Sequence, residues 1–125
     1  MSFVNLNHLN LRVADPAACR DFYVRHLGFR PAFEAEGGIF LRNDDGFLLA
    51  LVPPPDGRHR PLPDGFHVGF GVGDGGAEAV LALHAGLAGA GSPVTPIEDH
   101  RPGEDYVTFR CHDPDGTEVE VFWDG

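Results

Sequence analysis

Asp113-Pro114-Asp115-Gly116-Thr117-Glu118-Val119-Glu120-Val121-Phe122-Trp123 closes the chain, and its pattern sets how the rest is understood. Asp-Pro-Asp-Gly is turn chemistry: proline presets one turn torsion and glycine accepts a positive one. The residues after it alternate strictly. Glu118, Glu120 and Phe122 stand against Val119, Val121 and Trp123, which defines a strand with two unlike faces. A carboxylate in mid-strand is disfavoured by β-propensity. Glu120 therefore needs either solvent or a partner from elsewhere in the chain.

Working outward, the same arrangement occurs earlier. Asp45-Gly46 opens an apolar run over 47–52, just as Asp115-Gly116 opens the last strand, and residues 38–42 form the other arm of a hairpin. Before it, Leu9, Leu11 and Val13 alternate with His8, Asn10 and Arg12, the pattern of a half-buried strand. Asp15-Pro16 supplies a helix N-cap and a first-turn proline, Cys19, Phe22, Tyr23 and Leu27 make an apolar stripe, and Gly28 ends the helix. A third strand of this half must come from residues 30–36, where the pattern is weak.

After the proline-rich stretch 53–65, a stiff linker, the order restarts. His67-Val72-Asp74 repeats the offsets of His8-Val13-Asp15. Asp74 is expected to cap a second helix with Val80, Leu83 and Leu87 as its stripe. A long loop over 92–105 follows, then alternation over 106–111. The chain thus reads as one strand-helix-strand-strand-strand unit used twice, with module one over 1–52 and module two over 66–125. Neither half buries both its sheet and its helix alone, so the fold expected is α+β, two tandem βαβββ modules forming a curved mixed sheet with helices on the convex side.

Alternation also assigns the faces. If the apolar positions pack under the helices, His8, His67 and Glu120 look out from the opposite face. Two imidazoles and one carboxylate match the facial triad of open-site metal centres. Open positions let a substrate oxygen replace water and be polarised. Tyr106, Thr108 and Arg110 share that face with Asn10, Arg12, Phe40, Leu48 and Ala50. Arg110 either holds an anionic or carbonyl substrate or pairs with Glu118, and Tyr106 is either a proton donor or a solvent-facing tyrosine. Gly69 and Gly71 either leave room beside His67 or mark a bulge. The remaining histidines, His26, His59, His84, His100 and His112, read as surface residues, with His100 the outside candidate for a lid contact or proton shuttle.

The segment 7–13, the helix ending in Phe22-Tyr23 and Leu27-Gly28-Phe29, and the Asp113-Gly116 turn with Glu120 together resemble the vicinal oxygen chelate superfamily. That group includes glyoxalase I, extradiol dioxygenases, fosfomycin-resistance transferases and bleomycin-resistance proteins. The resemblance implies paired βαβββ modules, commonly in homodimers, and metal ligands at His8, His67 and Glu120. With the faces read above, the expectation is one divalent metal (Fe, Mn, Zn or Ni) and a small oxygenated substrate that chelates it, with Glu120 and, from the alternation, Tyr106 and Arg110 as the catalytic residues. The alternative is a metal-free protein of the bleomycin-resistance type that sequesters an antibiotic or aromatic molecule. Glyoxalase I draws a fourth protein ligand from the place held here by Ala50, and fosfomycin-resistance proteins carry a tyrosine where this chain has Arg110.

At 125 residues the chain is one domain by length. A formal net charge of −10 argues against nucleic acid as a partner. The two cysteines, Cys19 and Cys111, fall in core patterns and are expected to be buried free thiols. No apolar run reaches membrane-spanning length and the first residues lack a basic, then apolar, targeting pattern, so a cytoplasmic protein without membrane contact is expected.

Overall fold

A computed structural model describes residues 1–3 and 5–125. By its contacts the chain divides into two units, Met1–Pro61 and Leu62–Gly125, with the division inside the proline-rich stretch. Each unit contains one four-stranded mixed sheet and one helix.

The first unit runs β1 (His8–Arg12), α1 (Pro16–His26), β2 (Arg30–Ala35), β3 (Gly38–Arg42) and β4 (Leu48–Val52). Its strand order is β1-β4-β3-β2, with β1 and β4 parallel and the other pairs antiparallel. Parallel neighbours need a long crossover, and α1 begins it. The cap is as the sequence predicts: Asp15 Oδ1 accepts the Ala18 N–H at 3.1 Å, and Pro16 opens the helix. Cys19, Phe22 and Tyr23 bury their side chains, and α1 packs on β3, β4 and β2 above a core that includes Leu11, Leu41, Leu49 and Leu51.

The second unit repeats this order with β5 (His67–Gly71), α2 (Gly76–Gly89), β6 (Glu98–Asp99), β7 (Val107–His112) and β8 (Glu118–Trp123). The sheet order β5-β8-β7-β6 is the same topology, again with one parallel pair, β5 with β8. Val80 and Leu87 of α2 are fully buried with Val107, Phe109, Cys111, Val119 and Val121 of the sheet. Both cysteines are buried. Burial, followed by the charge of Asp113, pushes the Cys111 thiol up to about 11, so it stays protonated and inert at neutral pH.

The repeat extends to individual hydrogen bonds. Asp113 Oδ1 accepts the N–H groups of Asp115 and Thr117, both at 2.9 Å. Asn43 Oδ1 does the same for Asp45 and Phe47, at 3.0 and 2.9 Å. In each turn the glycine, Gly116 or Gly46, has φ above +80° and donates to the carbonyl of that same Asp113 or Asn43. An aspartate and an asparagine thus build one and the same turn.

One expectation is overturned and two are refined. Asp74 does not cap α2: Gly75, in the left-handed region at φ +86°, takes the N-cap place and makes no side-chain cap bond. With Gly76 also at positive φ, the chain turns into the helix beyond the reach of Asp74. The weakly patterned residues 30–36 do supply a strand, β2, but it is an edge strand with every residue exposed and a register shift between Pro31 and Phe33. An exposed edge has no buried face to impose alternation on its sequence. Finally, β5 pairs with β8 in unbroken register through Gly69 and Gly71, so neither glycine marks a bulge. No helix among the described residues is long and apolar enough to cross a membrane.

Candidate functional site

In the second unit, α2 packs on the sheet face that carries Phe109, whose ring meets His84 edge-on at 5.0 Å. The opposite face presents His67 from β5, Glu118, Glu120 and Phe122 from β8, and Thr108 and Arg110 from β7. Register explains how they meet. Glu120 stands directly between Gly69 and Arg110, and His67 is opposite Glu118. The His67 ring reaches diagonally across the ladder to Glu120, and the space over Gly69 stays open: a Cβ placed there meets nothing within 4 Å.

His67 Nε2 lies 3.3 Å from Glu120 Oε1. The two side chains are 33% and 17% exposed, open enough for a ligand yet largely held by protein. The other atoms of both groups are occupied. His67 Nδ1 is 3.3 Å from the Gly65 carbonyl, and with the proton there Nε2 is a lone-pair donor. Thr108 Oγ1 is 2.6 Å from Glu120 Oε2 and 2.9 Å from the Val121 carbonyl. A hydroxyl has one proton, and the short contact to a charged acceptor is the stronger claim on it. Thr108 is only 4% exposed, so this is a built contact in a dry place. Alternation puts Thr108 on this face without marking a task for it. A buried hydroxyl across the ladder from a carboxylate strand is the signal that finds it.

Arg110 takes the ion-pair option: Nη1 donates to Glu118 Oε1 at 3.2 Å, and Nη2 lies 3.9 Å from Glu120 Oε1. Tyr106 is half-buried and its ring is stacked between His100 and Phe122. Desolvation, and then the charges of Glu104, Glu98 and Glu120, push its phenol above the ordinary tyrosine value, which keeps it a proton carrier. His100 is tied in place by its backbone, which donates to the Tyr106 carbonyl at 2.9 Å, and its Nε2 is buried without a hydrogen-bond partner. His84 and His100, expected at the surface, are both half-buried. His84 Nε2 is bonded to the Thr95 carbonyl at 2.9 Å.

His8 belongs to the first unit. It is exposed on β1, and its Nδ1 is 2.6 Å from Asn7 Oδ1. In that unit the register position equivalent to Glu120 is Ala50, which pairs with Asn10 and Phe40. Arg12 points its guanidinium at the Pro53 carbonyl, 3.3 Å away. The structure thus brings His67, Glu120, Thr108, Arg110 and Glu118 together. Among the described residues, no cluster of three or more histidine, cysteine, aspartate or glutamate side chains has the geometry of a metal site.

The pair that is present fits two adjacent ligands of one ion. Nitrogen and oxygen donors each about 2.1 Å from a shared ion stand about 3 Å apart, close to the 3.3 Å seen here. Metal-binding histidines usually donate their second ring N–H to an oxygen, and both His67 and His8 have such an acceptor at Nδ1.

The sequence matches the Glyoxalase/Bleomycin resistance protein/Dioxygenase superfamily over residues 5–121. A curated relative, the uncharacterized protein y4iN of Sinorhizobium fredii, is 35% identical over 88 residues, 70% of this chain. The match spans 36% of that relative's length. Among solved structures, a possible glyoxalase from Bacillus cereus shares the fold with a TM-score of 0.78 at 29% identity, over 95% of this chain and 98% of that one. The fosfomycin resistance protein FosX of Listeria monocytogenes, solved as a mutant with Mn(II) and 1S,2S-dihydroxypropylphosphonic acid, matches with a TM-score of 0.79 at 14% identity, over 99% of this chain and 95% of that one.

Proposed function

The chain belongs to the Glyoxalase/Bleomycin resistance protein/Dioxygenase superfamily, and we propose that it is a divalent-metal-dependent enzyme acting on a small oxygenated molecule that chelates the metal. The ligands in this proposal are His67, Glu120 and His8. The observation that carries it is the 3.3 Å approach of His67 Nε2 to Glu120 Oε1, with the second ring nitrogen and second carboxylate oxygen each already engaged. His8 is the third ligand proposed because it holds the matching place in the first module, with its Nδ1 likewise engaged. The similar fold solved with Mn(II) is consistent with a divalent ion, drawn from iron, manganese, zinc or nickel. Such an ion, when bound, supplies Lewis-acid polarisation of substrate oxygens.

The chain's own residues do the rest. Thr108 holds Oε2 of Glu120, so the carboxylate presents one oxygen, Oε1, beside His67. Arg110, anchored by Glu118, keeps a positive charge beside that carboxylate and in reach of an anionic or carbonyl group. Tyr106, kept protonated, is the proton donor of the face. Arg110 in place of tyrosine and Ala50 in place of a fourth ligand separate this site from fosfomycin-type and glyoxalase I-type arrangements.

Elemental analysis of protein purified without chelator tests the proposal. About one transition-metal ion per chain is expected. No metal after incubation with iron, manganese, zinc and nickel rejects it and leaves a metal-free binding protein as the function. A further expectation concerns Thr108. Thr108→Val removes the hydroxyl at constant shape and should weaken metal affinity about tenfold by freeing Glu120 to rotate, while Thr108→Ser restores it. Titration of a competing chromophoric chelator reads both.

A further inference from the structure

Three flat rings cross the site face of the second sheet in a row. His100 stacks on Tyr106 with centroids 4.2 Å apart and planes 23° apart, and Tyr106 stacks on Phe122 at 5.4 Å and 15°. The row runs across the strands. His100 follows β6, Tyr106 precedes β7, and Phe122 lies in β8. The next strand is β5, where the residue paired with Phe122 is Gly71. Two residues back along β5, on the same face, Gly69 is paired with Glu120. A Cβ added at either glycine meets no heavy atom within 4 Å.

Tyr106, which precedes β7, stacks on one face of the Phe122 ring, and β5 flanks β8 on its other side. There, two successive positions on the site face carry no side chain. Glycine weakens a strand and commonly marks a place where something approaches the backbone closely. At neither position does the backbone require it: neither has a positive φ, and the ladder through both is unbroken.

We propose that the strip over Gly69 and Gly71 is a stacking slot for a planar, conjugated ligand bearing an oxygen substituent. Its ring would lie against Phe122 as the fourth member of the row. Its oxygen would point along β5 towards His67 and Glu120. The proposal rests on the metal-enzyme reading only in the direction that it gives this oxygen. A flat ring meets Phe122 in an offset stack and lies close over the glycine backbone. A saturated ring of the same size is thicker and has no quadrupole to match, so it is disfavoured in the same place.

The test uses 4-nitrophenol as the planar probe and cyclohexanol as its saturated counterpart. Binding of the first is read from its visible absorbance, and of the second by competition. The full chain is compared with Gly71→Val, which fills the slot, and Phe122→Leu, which removes the stacking face. Gly71→Ala is held in reserve as a smaller change. The expected result is that 4-nitrophenol binds about tenfold more tightly than cyclohexanol. Each variant should lose about that factor, with the metal content of all proteins equal. Equal affinity for the two probes, no binding of 4-nitrophenol, or binding untouched by both substitutions overturns the slot. Failure of the metal reading looks different: metal-free protein would still bind 4-nitrophenol in a manner dependent on Gly71 and Phe122. Conversely, a metal-loaded chain indifferent to planarity overturns the slot alone.

Discussion

Replacing Glu120 by alanine is expected to lower affinity for a divalent ion by a hundredfold or more while leaving the fold intact. The size follows from the ligand count. Structural zinc sites of four ligands bind with roughly 10–16 kcal/mol, so losing one charged ligand of three costs about 3 kcal/mol or more. The fold should tolerate the change because Glu120 is not a keystone of the core. Its neighbours on the same strand, Val119 and Val121, carry the buried face. Arg110 keeps its closer partner Glu118 at 3.2 Å when the 3.9 Å contact to Glu120 is lost. Thr108 keeps the Val121 carbonyl as acceptor. The stability change should therefore stay within about 1 kcal/mol, typical of removing a partly exposed ion-pair member. Isothermal titration with Zn(II) or Mn(II), beside a denaturant melt, separates the two effects. An alanine variant that binds the ion as well as the parent removes Glu120 from the ligand set.

The second large effect concerns the fold rather than the chemistry. Asp113→Ala should destabilise the chain by about 2–4 kcal/mol, because the backbone N–H groups of Asp115 and Thr117 lose their common acceptor. Asp113 and Thr117 are each 5% exposed, so water replaces that acceptor poorly. In a chain of this size that corresponds to a fall in Tm of roughly 8–15 °C. Asp113→Asn is the informative partner. The first module builds the same turn on Asn43, so an amide oxygen at position 113 should accept both bonds and keep most of the stability. Thermal unfolding of the two variants side by side checks the account. Equal losses would mean that the charge of Asp113, and not its acceptor geometry, holds the turn.

The turn bears on the site as well. It sets where β8 begins, and a one-residue slip would turn Glu118, Glu120 and Phe122 to the helix face. Stability at Asp113 and presentation of Glu120 are thus coupled through register. Loss of metal affinity in Asp113→Ala in proportion to unfolding would show this coupling.

Much of this was legible in the residues. Strict alternation in β1 and β8, the Asp15-Pro16 helix start, and the repeated offsets from His8 and His67 specify two copies of one module, since each signal is local and strong. The faces of His67 and Glu120 followed from the period of two alone. The edge strand β2 was faint because nothing buries it, and α2 starts without Asp74 because two consecutive glycines redirect the backbone. His84 and His100 looked like surface residues because a helix or loop histidine gives no sign of what packs on it.

What the tertiary structure alone decided is which side chains touch. That His67 reaches diagonally to Glu120, that Thr108 holds one oxygen of that carboxylate, and that His100, Tyr106 and Phe122 line up in a row are matters of cross-strand register. Register pairs residues tens of positions apart, and no pattern within a strand encodes its partner's offset. The sequence by itself determined the modules and the faces. Pairing between distant strands determined the site.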